Sequence, residues 1–380
     1  MKMKFLVCLS FITVLLTSFA YPVESLAPQS YPEMPTARIQ KRLVSEPIPA
    51  ICPGGISYGE TIACSIDSNE TDSYTFAGNI NDRVIARVQI TSGNIDPSLQ
   101  IDAPGGTCAT STIFNLLELN CILPTGGIHT IHVSGSSGQT GGYNLHLQRS
   151  NFPANQTAIA YGQTLSGHIT TAPEMDVFAF TGSSGEKVIL RKQVTSGSLD
   201  PHLRIYNPDG TLLCSDNTIF NQLEINCTLA VGGLHMIFAH GDDGQTGGYN
   251  LHLQRSNDPT NQIPIAIGQT LKGSIAIAPE MAVYKIDADV LAGDTLVAKL
   301  KVVSPNIDPH LRIYHIDGTL LCKQSTIFND LEMSCTVPAT GMYTVFVAGG
   351  DDQSGSFEIC VHDSSTTCNY QVFLPLVVGE

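Results

Sequence analysis

Residues Cys214 to Cys227 read Cys-Ser-Asp-Asn-Thr-Ile-Phe-Asn-Gln-Leu-Glu-Ile-Asn-Cys, and this stretch decides the fold because the chain contains it three times. Near copies run from Cys108 to Cys121 and from Cys322 to Cys335, and each holds Thr-Ile-Phe-Asn between two cysteines 13 positions apart. The copies start 106 and 108 residues apart, which is the period of a whole domain rather than of a solenoid repeat. The sequence therefore predicts three tandem domains.

The segments around the copies have the pattern of short β-strands. Tyr249, Leu251 and Leu253 alternate with polar residues, which is the period of a strand with one buried face. The same alternation runs through residues 84–90, where the predicted outward-facing side chains are Ile85, Arg87 and Gln89. About eight such strands per repeat, with no amphipathic helix, predict an all-β chain of three tandem jelly-roll-like β-sandwich domains.

The ends of the repeats set the predicted domain boundaries. The first two repeats close with the same residues, Gly-Tyr-Asn-Leu-His-Leu-Gln-Arg-Ser-Asn. We therefore expect β-sandwich repeats at 51–150, 151–256 and 257–368. Within each repeat the two cysteines of the copy predict a disulfide-closed hairpin, and Ile219 and Phe220 of the second copy are expected to fill one end of the sandwich.

Both ends of the chain read as segments outside these domains. A basic start, an apolar run at 5–16 and small residues near Ala20 predict a signal peptide at 1–20, with a retained membrane anchor as the alternative. The Pro-rich segment 21–50 predicts a disordered linker or pro-segment. The tail at 369–380 is either an export or surface-retention signal or an extra edge strand, and its apolar run is too short to span a bilayer.

The cysteines indicate an extracellular protein. Removal of the signal peptide takes away one of 11 cysteines and leaves ten, an even number that suits a disulfide framework in a secreted chain. Metal binding is the weaker alternative, because no Cys-x-x-Cys motif accompanies the pairs. The expected disulfide partners are Cys52 with Cys64, Cys108 with Cys121, Cys214 with Cys227, Cys322 with Cys335, and Cys360 with Cys368.

Composition and charge narrow the classes of partner. Trp is absent, 14% of residues are charged, and Gly (34) and Pro (21) are frequent, as in chains of short strands and many turns. The formal net charge of −15 repels phosphate backbones, so we expect no nucleic-acid partner and no binding to anionic membranes. Cations, neutral polymers and other proteins remain open.

An ordered set of short motifs recurs along the repeats. It comprises an Asp-x-aromatic-x-aromatic strand, an Asp-Pro-x-Leu step, a Pro-Asp-Gly turn at 208–210 and a Gly-Gly-Tyr closing strand. The first two motifs lie at Asp72, Tyr74 and Phe76; Asp176, Phe178 and Phe180; Asp96-Pro97; Asp200-Pro201; and Asp308-Pro309. This ordered set resembles the bacterial pre-peptidase C-terminal domain family.

This resemblance covers about 310 residues and implies a secreted, non-catalytic β-sandwich. Such domains accompany extracellular peptidases and other hydrolases, and some relatives bind calcium or polymers such as collagen. The chain departs from the family in two respects. No peptidase domain accompanies the repeats, and the third repeat has Ala282 and Ile286 where the others have Asp and Phe.

The candidate metal ligands are paired carboxylates in Gly-rich loops. Asp242 and Asp243 follow His240-Gly241, and we align them with Asp351 and Asp352 in the third repeat. Carboxylate and backbone oxygens are calcium ligands, so calcium at these two repeats is one hypothesis and a solvated turn is the other. At the Asp-Pro steps, Asp200 with His202 and Asp308 with His310 could share a metal, although a structural Asp that accepts from backbone amides is favoured.

Motifs for nucleophilic or metal-dependent hydrolysis are missing from the sequence: it has no Gly-x-Ser-x-Gly and no His-Glu-x-x-His. Three copies of one domain suit multivalent binding better than catalysis, which needs a single organised site. We therefore expect a non-catalytic protein, secreted or on the cell surface, that binds an extracellular polymer (glycan or matrix protein) or a protein partner. A passive envelope spacer and a hydrolase with an unfamiliar site are the alternatives.

Overall fold

The fold is given by a computed structural model that describes residues 52–304, 307–350 and 352–368. Every regular element in these ranges is a β-strand, which confirms the all-β prediction. Within the same ranges no helix has the length and apolar character needed to cross a membrane. The predicted signal peptide at 1–20, the linker at 21–50 and the tail at 369–380 lie outside the described residues.

The first sandwich has eight strands in two sheets. One sheet has the order β1-β8-β3-β6 and the other the order β2-β7-β4-β5. Consecutive strands alternate between the sheets except for β4 and β5, which pair with each other, and this is the strand order of a jelly roll. The strands are β1 (Glu60–Ile66), β2 (Thr71–Gly78), β3 (Arg83–Ile90), β4 (Ser98–Ala103), β5 (Gly106–Ser111), β6 (Leu116–Ile122), β7 (Gly127–Ser134) and β8 (Gly141–Arg149).

The second sandwich repeats this topology and adds a short strand at one edge. Its sheets have the orders β10-β17-β12-β15 and β14-β13-β16-β11-β9. The strands are β9 (Thr157–Ala158), β10 (Gln163–Ile169), β11 (Asp176–Gly182), β12 (Lys187–Val194), β13 (His202–Tyr206), β14 (Leu212–Asn217), β15 (Gln222–Thr228), β16 (Gly233–His240) and β17 (Gly247–Arg255).

The third sandwich has the same plan, with sheets ordered β19-β26-β21-β24 and β18-β20-β25-β22-β23. In each sandwich we call the sheet of the β1-β8-β3-β6 type the back sheet and the other the front sheet. The strands are β18 (Ile263–Ile265), β19 (Thr270–Ile275), β20 (Met281–Ile286), β21 (Thr295–Val302), β22 (His310–His315), β23 (Leu320–Ser325), β24 (Asp330–Thr336), β25 (Tyr343–Ala348) and β26 (Gly355–His362).

Each sandwich encloses its own apolar core between its two sheets. The alternation in the sequence explains this, because a strand sends successive side chains to opposite faces. In β3, for example, Val84, Ala86 and Val88 are at most 1% exposed and lie in the first core. The predicted boundaries at 51–150, 151–256 and 257–368 remain predictions.

The repeated cysteine stretch links two sheets, which corrects the predicted hairpin. Cys214 lies in β14 and Cys227 in β15, and these strands are the edges of the front and back sheets. The strands therefore do not pair with each other, and the disulfide joins the sheets at one edge of the sandwich. The structure contains the disulfides Cys52–Cys64, Cys108–Cys121, Cys214–Cys227, Cys322–Cys335 and Cys360–Cys368.

Removing such a cross-link should weaken one sandwich. We expect the double substitution Cys214→Ala, Cys227→Ala to lower the free energy of unfolding of the second sandwich by about 3 kcal/mol, because closing a loop of this length constrains the unfolded chain. Urea unfolding followed by circular dichroism would measure it. A loss well below 1 kcal/mol would show that the two edges hold together without the bond.

The outer face of each of the first two back sheets is covered by the next sandwich, which corrects the prediction that it faces solvent. Ile85 is 1% exposed and packs with Val177, Tyr206 and Phe238 of the second front sheet. The second junction repeats the first, with Ile189 against Val283, Tyr314 and Phe346. The sandwiches are therefore joined through buried side chains and not merely by short linkers.

A buried arginine ties each junction together. Arg87 Nη1 donates to the carbonyl oxygen of Pro173 at 2.9 Å, and its Nε lies 3.3 Å from Glu118. Glu118 in turn accepts two hydrogen bonds from Arg204, at 2.7 and 3.0 Å. Although burial acts to raise it, the attraction of Arg204 and Arg87 holds the pKa of the Glu118 carboxyl below its ordinary value. The carboxylate therefore stays charged between two guanidinium groups.

The second junction has the same set of partners. Arg191 Nη1 donates to the carbonyl oxygen of Pro279 at 2.8 Å and its Nε lies 3.3 Å from Glu224. Glu224 accepts from Arg312 at 2.6 and 2.8 Å. Because the contacts repeat, the two junctions have the same design.

The two outer ends of the array differ from the junctions. On the last back sheet, Lys299 takes the place of Arg87 and Arg191, and its side chain is 35% exposed beside Glu332. On the first front sheet, His132 and Asp102 stand where the second has Phe238 and Tyr206, and they pair at 3.1 Å. Polar and charged residues thus end the array on both sides.

Candidate functional site

The predicted calcium ligands of the second repeat lie in the loop after β16 and are engaged by other side chains. Asp243 Oδ1 accepts from Gln89 Nε2 at 2.7 Å, and Gly244 N donates to Gln89 Oε1 at 2.7 Å. Asp243 is thus part of the first junction. Asp242 Oδ1 lies 3.3 Å from His202 Nδ1.

In the third repeat the structure corrects our alignment by one residue. Arg87 and Arg191 donate to the carbonyl oxygens of Gly241 and Gly349 respectively, so Asp242 corresponds to Gly350 rather than to Asp351. Asp352 corresponds to Gly244, and both have a positive φ, 59° and 70°. Asp351 lies outside the described residues.

The described residues contain one group of His, Cys, Asp and Glu side chains close enough to share a metal: His202, His240 and Asp242. Two of these three ligands are imidazoles, whereas calcium prefers a shell of oxygens. Calcium binding at Asp242, Asp243, Asp351 and Asp352 stays a prediction.

The Asp-Pro steps are structural, and their partner is a side chain that the sequence analysis missed. Asp200 N donates to Gln245 Oε1 at 2.6 Å, and Gln245 Nε2 donates back to the Asp200 carboxylate at 2.7 Å. Asp96 with Gln139 makes the same exchange. Asp200 therefore pairs with Gln245 and not with His202. A Gln at the same place in all three repeats was the available signal.

The carboxylates at the start of β2 and β11 are structural acceptors. Asp72 accepts from the Tyr143 hydroxyl at 2.5 Å, and Asp176 accepts from the Tyr249 hydroxyl at 2.6 Å. Burial raises the pKa of both carboxyls. Asp72 is 2% exposed, whereas Asp176 is half-buried.

The Ile-Phe pair of the repeated stretch projects into solvent, so the prediction that it fills the end of the sandwich is wrong. Ile219 is 79% exposed and Phe220 is 68% exposed. The other copies agree: Ile113 and Phe114 are 78% and 70% exposed, and Ile327 and Phe328 are 76% and 70% exposed. We call these three pairs the Ile-Phe tips.

Each tip is held by hydrogen bonds at its base. The Thr218 hydroxyl accepts from Phe220 N at 3.2 Å, and Thr218 N donates to the carbonyl oxygen of Pro201 at 3.2 Å. Val194 N donates to the carbonyl oxygen of Asn221 at 2.8 Å. The tip is also the crossing between the two sheets that the nearby disulfide closes. The apolar pair is therefore displayed on a fixed turn.

Single exposed apolar side chains are common on protein surfaces, but here the same adjacent pair is exposed at the same place in all three repeats. Thr112 with Phe114 and Thr326 with Phe328 repeat the hydrogen bond of the second tip at the same length of 3.2 Å. Since a core role is excluded, the shared Thr-Ile-Phe-Asn tetrapeptide builds a surface feature. The tips are the candidate binding site of this chain.

Comparison with known proteins gives a likeness to solved structures alone, since no protein-family model and no curated protein matches the chain. One similar structure is the pre-peptidase C-terminal domain of a collagenase from Bacillus anthracis, at 20% identity and a TM-score of 0.24, covering 28% of this chain and 98% of that one. Another is PliG, a periplasmic inhibitor of g-type lysozyme from Aeromonas hydrophila, at 10% identity and a TM-score of 0.23, covering 27% and 96%. A third is a structure of promiscuous carbohydrate-binding modules of the β-sandwich superfamily, at 12% identity and a TM-score of 0.18, covering 54% and 99%.

Proposed function

We propose that this protein is a non-catalytic binding protein, secreted or held at the cell surface, that attaches to an extracellular polymer through its three Ile-Phe tips. The observation that carries the proposal is the exposure of the same apolar pair in all three repeats, between 68% and 79% at each residue. A passive spacer would need no such pair.

The small binding free energy available to one tip is a reason for the chain to have three. Burying an isoleucine or a phenylalanine contributes roughly 1.5–3 kcal/mol, whereas association costs about 4–15 kcal/mol in lost freedom of motion. One tip alone therefore binds weakly. Linked tips raise the effective concentration of each later contact and can strengthen binding about 10²- to 10⁴-fold.

The junctions favour a partner with a repeating surface. Because Arg87 and Arg191 make matching contacts at the two junctions, the step from the first tip to the second resembles the step from the second to the third. A glycan or a fibrous matrix protein offers such a regular surface. The net charge of −15 favours neutral or basic polymers over anionic ones.

Other features of the chain support this proposal. The resemblance to pre-peptidase C-terminal domains, extended to three tandem copies at 51–150, 151–256 and 257–368, implies an accessory binding role. Five disulfides suit an oxidising compartment outside the cytosol, as does the predicted signal peptide. Calcium at the Asp242 loop would be an addition to this function and is not required by it.

Substituting the tips tests the proposal. We expect wild-type protein to be retained by at least one of a panel of insoluble glycans and fibrous matrix proteins. Phe220→Ser should weaken retention about tenfold or more, since a buried phenylalanine is worth more than the 1.4 kcal/mol that corresponds to tenfold. The triple variant with Phe114→Ser and Phe328→Ser added should lose retention, while its melting temperature stays unchanged because the rings lie in solvent.

Ile128→Ser is the matched control, because Ile128 is 66% exposed but lies in β7 and outside the tips. It should bind like the wild type. Retention of the triple variant at wild-type strength would contradict the proposal, and failure of the wild type to bind any polymer would favour the spacer.

A further inference from the structure

A second candidate site lies on the front sheet of the second sandwich, next to the first junction. His202 in β13 and His240 in β16 are directly opposite each other in the antiparallel pair, and their ring centroids are 4.3 Å apart. Asp242 follows two residues later, with Oδ1 3.3 Å from His202 Nδ1. One ligand atom from each residue lies within 4.8 Å of the other two.

His240 has an unused nitrogen. Its Nδ1 lies 3.0 Å from the carbonyl oxygen of Gly241, an acceptor, so Nδ1 carries the ring proton. Nε2 therefore holds a lone pair, and this buried atom has no hydrogen-bond partner among the described residues. The ring is 1% exposed. A buried acceptor without a partner costs about 1–3 kcal/mol.

The sandwich and its junctions do not need this group of residues. At the three corresponding positions the first repeat has Ser98, Ser134 and Ser136, and the third has His310, Ala348 and Gly350. Both neighbours nevertheless form the same sheets, and the second and third repeats join through the same arginine contacts. The combination of two histidines and an aspartate belongs to the second repeat alone.

We propose that His202, His240 and Asp242 bind one zinc ion, through Nδ1 of His202, Nε2 of His240 and a carboxylate oxygen of Asp242. Two imidazoles and a carboxylate are a common zinc set with a fourth position left for water or a partner's side chain. The hydrogen bond from His240 Nδ1 to a backbone carbonyl is the outer contact that usually orients a ligating histidine.

Neighbouring charges set the expected affinity. Arg87 and Arg204 act electrostatically on His202 and His240, and Lys192 donates to the carbonyl oxygen of His240 at 2.9 Å. The two guanidinium groups are paired with Glu118, which offsets much of their charge. We therefore expect an affinity below that of a four-ligand structural zinc site, together with stabilisation of the fold by binding to the native state.

Titration calorimetry of the full chain, freed of metal with EDTA, tests the site with zinc chloride as the probe. We expect one zinc per chain, a rise in melting temperature with zinc, and a visible absorption spectrum of tetrahedral type with cobalt(II). Excess calcium chloride should not displace the cobalt(II), because calcium prefers oxygen ligands to imidazole nitrogens. No polymer is present, so the outcome is separate from that of the tip experiment.

His202→Ala and Asp242→Asn should each remove the binding, and both change partly exposed side chains, so the fold should persist. His310→Ala is the control, because His310 occupies the position of His202 in the repeat that lacks the other two ligands. Absence of zinc binding in the wild type, or unchanged stoichiometry in His202→Ala and Asp242→Asn, would overturn the proposal.

Discussion

Substituting Arg191→Ala is expected to lower the free energy of unfolding by about 3–5 kcal/mol, the usual cost of removing one partner from a buried ion pair. Arg191 is 1% exposed and donates to the carbonyl oxygens of Pro279 and Gly349 besides pairing with Glu224. Its loss leaves two buried carbonyls and part of a carboxylate without their donor. Urea unfolding of the full chain would measure the change.

Lys299→Ala supplies the matched control for this junction. Lys299 stands at the same place in the last back sheet, but its side chain is 35% exposed and pairs with Glu332, which is 61% exposed. Exposed pairs contribute about 0–1 kcal/mol, so this variant should unfold almost like the wild type. Equal losses in the two variants would contradict a special role for the covered arginine.

Substituting Lys192→Leu is expected to stabilise the second sandwich by roughly 1–4 kcal/mol, as when buried charged groups are replaced by apolar ones. Lys192 is fully buried, 4.3 Å above the Tyr249 ring, and burial lowers its pKa from 10.5 to about 7. The first and third repeats have Val88 and Leu300 at this place. Thermal unfolding at neutral pH would show the gain.

The pH dependence of this gain follows from the direction of the pKa shift. Below about pH 7 the lysine is charged in both folded and unfolded chains, and the cost of burying that charge is complete. Between about pH 7 and 10.5 the folded protein releases the proton first, so wild-type stability rises with pH. The advantage of Lys192→Leu should therefore shrink from pH 7 to pH 10. A variant less stable than the wild type at neutral pH would contradict this account.

The strands were predictable because alternation is a local property. The alternation of Val84, Ala86 and Val88 predicts a buried face without any knowledge of the sheet that packs against it. The partner sheet of each strand is a long-range property, and this is why the cysteine stretch was interpreted as a hairpin although Cys214 and Cys227 lie in different sheets. Two strands joined by a short loop have the same sequence pattern whether they pair in one sheet or belong to two facing sheets.

Burial at two places in this chain depends on contacts beyond a single strand pattern. An outward-facing Ile85 next to Arg87 indicates that another surface covers this face. The sequence does not indicate that the surface belongs to the next repeat. The Ile-Phe tips were assigned to the core because apolar residues are usually buried, and the fixed turn that displays Phe220 depends on Thr218 and Asn221 in three dimensions. The cluster of His202, His240 and Asp242 requires the strand register, which pairs residues 38 positions apart.

The two outer faces of the array differ from the faces at the junctions, and this limits which repeat could be duplicated. The second repeat has an apolar front sheet and a back sheet that carries Ile189 and Arg191. A duplicated copy of it could therefore contact a neighbour through each of its two sheets. The first repeat, with His132 and Asp102 in front, cannot serve in the middle, and neither can the third with Lys299 behind. The middle repeat is thus the unit by which the array could gain or lose a copy, while each outer repeat has one face suited to a neighbour.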